Sequence, residues 1–177
     1  MSFYKFDINE AKDNGKYSLL PAIINQLSVG AFLTTKVGTK TNTMTIGWLT
    51  IGKVWSIDVA TVYVRFSRYT YDLITNTDFF TISVPLPDDK LSEIELWGTK
   101  SGRDIAKLSM ENVSAAKSVE GIVIKGCYIH IECEKIYNQI MEPHHLDAEL
   151  YNQFYSDDGD YHHIFYGRIK DLYIEGK

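Results

Sequence analysis

No run of this sequence approaches the roughly 18 to 20 consecutive apolar residues that a membrane-spanning helix needs. Its opening, MSFYKFDINEAKDNGK, is polar where a signal peptide carries its apolar stretch. The chain is therefore expected in the cytoplasm, with no membrane partner. Cysteine is scarce: Cys127 and Cys133 stand six positions apart in what reads as one strand, YIHIECEKIY. At roughly 3.3 Å per residue their Cα atoms would lie about 20 Å apart, beyond the ~7 Å reach of a disulfide, so both read as small apolar packing residues. Positive charge is in deficit as well. Lys+Arg 18 against Asp+Glu 23 gives a net charge of −5, which argues against a nucleic-acid partner. Glycine-rich phosphate loops are missing: neither G-x-G-x-x-G nor G-x-x-x-x-G-K-[ST] occurs, and there is no G-x-S-x-G elbow. Internal repeats and low-complexity linkers are absent too.

What the chain does have is ordinary globular composition, 45% hydrophobic and 23% charged over 177 residues, with aromatic content at 13%. At roughly 150 residues per domain this is one domain spanning 1–177. The pattern predicts a short helix over Ser18–Leu27, a strand in VGAFLTTKV, a turn near Gly38 and Lys40, and a second strand in NTMTIGWLTI. VATVYVRF is a third strand, whose core face is Ala60, Val62, Val64 and Phe66, leaving Arg65 on the other side. SRYTYDLITNT reads as a short helix and FFTISVPL as a strand. DKLSEIELW and GRDIAKLSM read as two helical pieces broken at GTKSG. IVIKGCYIHIECEKIY and HHIFYGRIKDLYI are long strands, separated by a helix in HLDAELYNQF and an acidic, glycine-containing loop, SDDGDYH. Many short antiparallel strands with interspersed helices make a mainly β protein, a closed or partly closed β-barrel.

Three stretches carry candidate chemistry. VRFSRYT, residues 64–70, places Arg65, Ser67, Arg68 and Thr70 between a strand and a helix, which suits an anion; Ser67 and Thr70 are equally readable as helix caps and the arginines as a solvated surface. GTKSGRDIAK adds Lys100, Ser101, Gly102, Arg103 and Lys107, with Lys107 one helical turn beyond Arg103, and reads either as a ligand site or as a charged helix start. In NTMTIGW, Gly47 within a strand marks close approach of a ligand or backbone, and Asn42 and Trp48 offer an amide and a flat apolar face. A planar heterocycle fits there, as does a barrel-corner glycine beside a core tryptophan. The five histidines (His130, His144 with His145, His162 with His163) lack cysteine or carboxylate partners at metal-ligand spacing, so no metal is expected.

Taken together, GAFLTT with NTMTIGW, VYVRFSRYTYDLI, GTKSGRDIAK and GDYHHIFYGRI, in this order across nearly the whole chain, resemble the flavin reductase-like proteins, in particular the flavoredoxin-like branch. The resemblance implies the FMN-binding split barrel, a Greek-key-like antiparallel barrel, and a homodimer holding FMN noncovalently near the subunit interface. It implies reduction of that flavin by NADH or NADPH, or by a redox partner protein. Asn42, Thr45, Ile46, Gly47 and Trp48 would then border the isoalloxazine and ribityl chain. Arg65, Ser67, Arg68 and Thr70 would surround the phosphate, and Ser101, Gly102 and Lys107 would complete the pocket. His144 or His145 matches a flavin-side position of flavoredoxin-like members. The chain departs from the family pattern at Ile57 and Asp58, where Lys-Pro is common, and at Trp97, Ala106 and Arg168. These positions bear on the second substrate. The residues thus imply an FMN-dependent oxidoreductase, with a flavin-binding electron carrier as the alternative.

Overall fold

A computed structural model describes residues 16–156 and 159–175; the polar residues 1–15 and residues 157–158 of the acidic loop lie outside it. A 3₁₀ turn at Lys16–Leu19 leads into α1, Leu20–Leu27, with Pro21 in its first turn, where a missing N–H costs nothing. Then follow β1 (Ala31–Val37), β2 (Lys40–Ile46), β3 (Leu49–Val54), β4 (Ile57–Arg65), α2 (Tyr69–Ile74), β5 (Phe79–Val84) and α3 (Leu91–Thr99). The chain continues through β6 (Val113–Ala115), β7 (Ile122–Ile124), β8 (Ile129–Ile140), a 3₁₀ turn at Pro143–His145, α4 (Ala148–Phe154) and β9 (His162–Ile174).

Seven strands form one antiparallel sheet in the order β2-β1-β5-β8-β9-β4-β3, and β6 and β7 form a separate pair. The two edge strands, β2 and β3, are consecutive in the chain and joined only by Gly47 and Trp48. So short a link holds the two edges together at that end, and the sheet therefore curls into a barrel with a split between β2 and β3.

The barrel interior is filled by Leu33, Ile46, Val62, Val64, Phe80, Ile82, Ile131 and Phe165, with Ile23 of α1 and Ile74 of α2 packed against them. A smaller cluster, Phe32, Ile94, Trp97, Ile124 and Cys127, seats α3 on the outer face of β1, with the Phe32 and Trp97 rings 4.8 Å apart. Alternation along β4 places Ala60, Val62 and Val64 in the core as expected, while Phe66 lies just past the strand and is half-buried.

Three expectations are corrected. NTMTIGWLTI is two strands rather than one, because the chain turns at Gly47–Trp48. GRDIAKLSM is not a helix: after one turn, in which the Ser101 carbonyl accepts from the Asp104 and Ile105 N–H groups, Lys107 is drawn inward onto backbone carbonyls. A segment this short has little intrinsic helicity to oppose that pull. IVIKGCYIHIECEKIY is interrupted by a turn at Lys125–Gly126, where Gly126 takes φ +76°, so Cys127 lies in a loop and Cys133 in β8. Both thiols are free and buried, and burial pushes their pKa values up.

The turn joining β3 and β4 consists of Trp55 and Ser56, both at positive φ (53° and 60°) between the paired residues Val54 and Ile57. This is the twist a two-residue hairpin requires, though Asn-Gly usually supplies it. Trp55 is 60% exposed and sits 5.9 Å from the Tyr137 ring and 6.3 Å from that of Tyr166. No described helix is long and apolar enough to cross a membrane.

Candidate functional site

Three cavities adjoin at the split of the barrel, and Arg68 lines all of them. The first, about 190 Å³, runs along the end of β2 and the Gly47–Trp48 link, from Met44 and Thr45 to Tyr63, Arg65 and His162. The second, about 120 Å³, lies between α2 and the end of α3, bounded by Asn42, Thr70, Ser101, Gly102 and Lys107. The third, about 390 Å³, opens toward the segment after α4 and is lined by Gln153, Tyr155, Ser156 and Asp160 with Arg65 and Ser67.

Trp48 forms a wall of the first cavity. It is 38% exposed, and its ring lies 4.5 Å from that of His162 at 31°, with Phe154 edge-on at 5.4 Å. Thr45 is pinned by its hydroxyl to the Ile94 carbonyl at 2.7 Å, which ties β2 to α3. In the second cavity the buried Asn42 amide donates to the Thr70 hydroxyl at 2.8 Å, joining β2 to α2. A side chain at position 102 would run into Asn42 and Tyr69, so glycine is required there. Neither Thr70 nor Ser67 caps α2, whose N-cap is Arg68 without a side-chain bond.

Lys100 lines the second cavity from an exposed position after α3, and the other four cations of the site have different occupations. Arg65 donates to the carbonyls of Asp160 (2.9 Å) and Phe154 (3.0 Å). Ser67, beside it, donates its N–H and its hydroxyl to the Asp160 carboxylate, at 3.1 and 2.6 Å. Arg103 reaches back to the Ser67 carbonyl and to Asp72 at 2.6 Å, away from Lys107; the expectation that these two share a helical face is corrected. Lys107 is buried and donates to the carbonyls of Trp97 (2.8 Å) and Thr43 (3.1 Å), leaving one ammonium N–H for the cavity. Burial, and secondarily the Arg68 charge, lower its pKa to about 8. Arg68 alone of the four has only a long contact, 3.5 Å to the Gly98 carbonyl, and no carboxylate partner among the described residues.

Every residue that the resemblance nominates for cofactor binding lines the first or second cavity: Thr45, Ile46, Gly47, Trp48 and Arg65 the first, Asn42, Ser67, Thr70, Ser101, Gly102 and Lys107 the second, and Arg68 both. His144 and His145 do not; they are exposed at the turn before α4, their rings 4.1 Å apart, and line none of the three cavities. The histidine that reaches the site is His162, which sequence reasoning passed over. Its pKa is lowered to about 4, first by burial and then by Arg65, with Asp160 opposing. The only signal for it in the sequence was its place at the start of the last strand, after GDY. Among the described residues no group of three or more His, Cys, Asp or Glu could hold a metal.

A curled antiparallel barrel with a cationic, aromatic-walled cleft at its split defines a class of small ligand-binding barrels. Within that class, a profile of the flavin reductase like domain matches residues 28–177, and the chain belongs to this family. Its fold is similar to that of flavoredoxin from Methanosarcina acetivorans, with TM-score 0.64 and 21% identity over 83% of this chain and 68% of that one. An FMN-binding protein from Thermus thermophilus aligns with TM-score 0.62 and 19% identity over 81% and 68%. A Streptomyces globisporus NADH:FAD oxidoreductase aligns with TM-score 0.61 and 16% identity over 82% and 75%. A search of curated protein sequences gives no match. The split β-barrel architecture expected from the sequence is the one present.

Proposed function

We propose that the protein is an FMN-binding oxidoreductase of the NAD(P)H-dependent flavin reductase type. The observation that carries this reading is Arg68, a guanidinium with no carboxylate partner among the described residues, standing where an aromatic-walled cavity meets a second cavity that holds Lys107. The donor set fits the cofactor. A phosphate in the second cavity would meet Arg68, the remaining Lys107 N–H and the Ser101–Gly102 segment, while a flat ring in the first would lie along Ile46, Gly47 and Trp48. Ser67 and Arg65 serve this site indirectly, since their donors hold Phe154 and Asp160. FMN, when bound, supplies the ring that accepts a hydride and passes electrons on. The chain's own residues bind the anion, hold one ring face against β2 and leave the other to the second substrate.

We also propose a homodimer. The resemblance supports it, and so does the surface formed by exposed Trp55 and Tyr137 with half-buried Tyr166, the kind of aromatic patch that a partner subunit covers. Sedimentation of the FMN-loaded protein at micromolar concentration should give about 40 kDa, twice the 20.2 kDa chain; a 20 kDa species would overturn it.

The test of function is a titration followed by anaerobic mixing. FMN should bind more tightly than riboflavin, and NADH or NADPH should bleach the bound flavin. Equal affinity for the two flavins would sink the phosphate assignment. The second reading, an electron carrier between proteins in the manner of a flavoredoxin, draws on the same exposed aromatic patch. It replaces the first if neither nicotinamide bleaches the flavin while a reduced protein partner does.

A further inference from the structure

We propose that Tyr155 is a positioning residue that fixes the proton of His162 on Nε2, so that the imidazole presents an N–H donor to the cavity walled by Trp48. The Tyr155 hydroxyl is buried between His162 Nδ1 at 2.7 Å and the Met141 sulfur at 3.2 Å, so it either gives its proton to the sulfur and accepts from Nδ1–H, or gives it to Nδ1. It has one proton to give. A neutral imidazole nitrogen is a far better acceptor than a thioether, and the shorter contact is the one to nitrogen. Once Tyr155 donates to Nδ1, the neutral ring must carry its own hydrogen on Nε2, which has no hydrogen-bond partner among the described residues, and His162 lines the first cavity.

Among the described residues, the two arginines near the ring favour this neutral form and one carboxylate opposes it. Arg65 on β4 has its guanidinium 5.2 Å from the Tyr155 ring centre, and Arg68 adds positive charge from the start of α2, both disfavouring a cation. Asp160, which favours one, has its carboxylate on the Ser67 N–H and hydroxyl. The segment that carries Tyr155 is itself held in place. Arg65 binds the Phe154 and Asp160 carbonyls on either side of it, and the Phe66 N–H binds the Tyr161 carbonyl at 3.3 Å. The third cavity's wall therefore sets the chemistry of the first. The group that such a donor takes is an electron-rich acceptor beside the Trp48 face, a carbonyl oxygen or an unprotonated ring nitrogen. That last step rests on the flavin reading of the cavity, whereas the position of the proton does not.

The test is a long-range ¹H–¹⁵N correlation spectrum of the full ¹⁵N-labelled chain at pH 7, with FMN titrations alongside. In the wild type, His162 should show a pyridine-like Nδ1 and a pyrrole-like Nε2. Tyr155→Phe, which keeps the ring and removes the donor, should populate both tautomers and weaken FMN by about tenfold. Met141→Leu should leave the tautomer unchanged, and it keeps the proposal falsifiable if Tyr155→Phe does not fold. An Nδ1-protonated His162 in the wild type, a Tyr155→Phe spectrum identical to wild type, or a tautomer shift in Met141→Leu would each overturn the proposal. If the spectra come out as expected and yet neither protein binds FMN, the positioning role stands and the proposed function falls.

Discussion

Arg65 and Arg68 stand three residues apart, carry the same charge and line the same cavity, yet they do opposite work. Arg65, at the end of β4, spends its guanidinium on two backbone carbonyls, that of Phe154 at the end of α4 and that of Asp160 just ahead of β9. Arg68, at the mouth of α2, has no comparable partner among the described residues. The same contrast separates Ser67, whose donors are held by a carboxylate, from Lys107, which keeps one N–H for the cavity. Residue type nominated all four for a phosphate; hydrogen-bond partners divide them into a pair that builds the cleft and a pair that faces into it.

The sharpest way to break this division is to remove each arginine in turn. Arg68→Ala should weaken FMN by about ten- to a hundredfold, the worth of one charge-assisted contact, with riboflavin affinity and thermal stability nearly unchanged. Arg65→Ala should act the other way round. It should cost about 2 kcal/mol of stability in urea unfolding, by releasing the Phe154 and Asp160 carbonyls, and change FMN affinity by less than Arg68→Ala does. If the two variants give the same profile, the division is wrong.

A gentler test uses pH. Lys107, with its pKa lowered to about 8, is charged below that value and loses its charge as pH rises through it. FMN affinity measured by fluorescence should therefore fall severalfold between pH 7 and 9.5, while riboflavin affinity stays flat. For folding the sign is the reverse. Between about 8 and the ordinary lysine value of 10.5 the unfolded chain binds the extra proton, so Lys107's own contribution to stability rises with pH there. The smallest effect is expected where the cavities are not touched: replacing His144 and His145 together by Ala should move FMN affinity by less than about twofold and stability by less than about 0.5 kcal/mol.

Much of this architecture is legible in the sequence because alternation is local. HHIFYGRIKDLYI predicts the bounds of β9, and VATVYVRF predicts which face of β4 enters the core. Motif order was enough to show the family. What escaped depends on distant parts of the chain. The turn at Gly47–Trp48 is hidden because apolar and Thr-rich residues continue on both sides of it. Lys107 reads as a surface residue until the Thr43 carbonyl, 64 positions away, is folded against it. Arg65 reads as free until Asp160, 95 positions away, arrives. His162 joins the site only through its pairing with Arg65 across the β4–β9 ladder. His144 and His145, as visible in the sequence, end at an exposed turn with no buried residue of its own.

β9 is the last strand of the described chain, but it lies inside the sheet, between β8 and β4. A ribosome-bound intermediate that has made everything up to α4 has strands for two separate sheet fragments, β2-β1-β5-β8 and β4-β3, with nothing between them. Arg65 has no His162 to face, the Phe154–Asp160 clamp has only one end, and Trp48 lacks the ring stacked beside it. The first cavity therefore gains its His162 wall in a late event that also completes the hydrogen-bonded ladder. A chain shortened within β9 would lose the continuous seven-stranded ladder, whereas the second cavity, lined by residues 42–107 alone, draws nothing from β9.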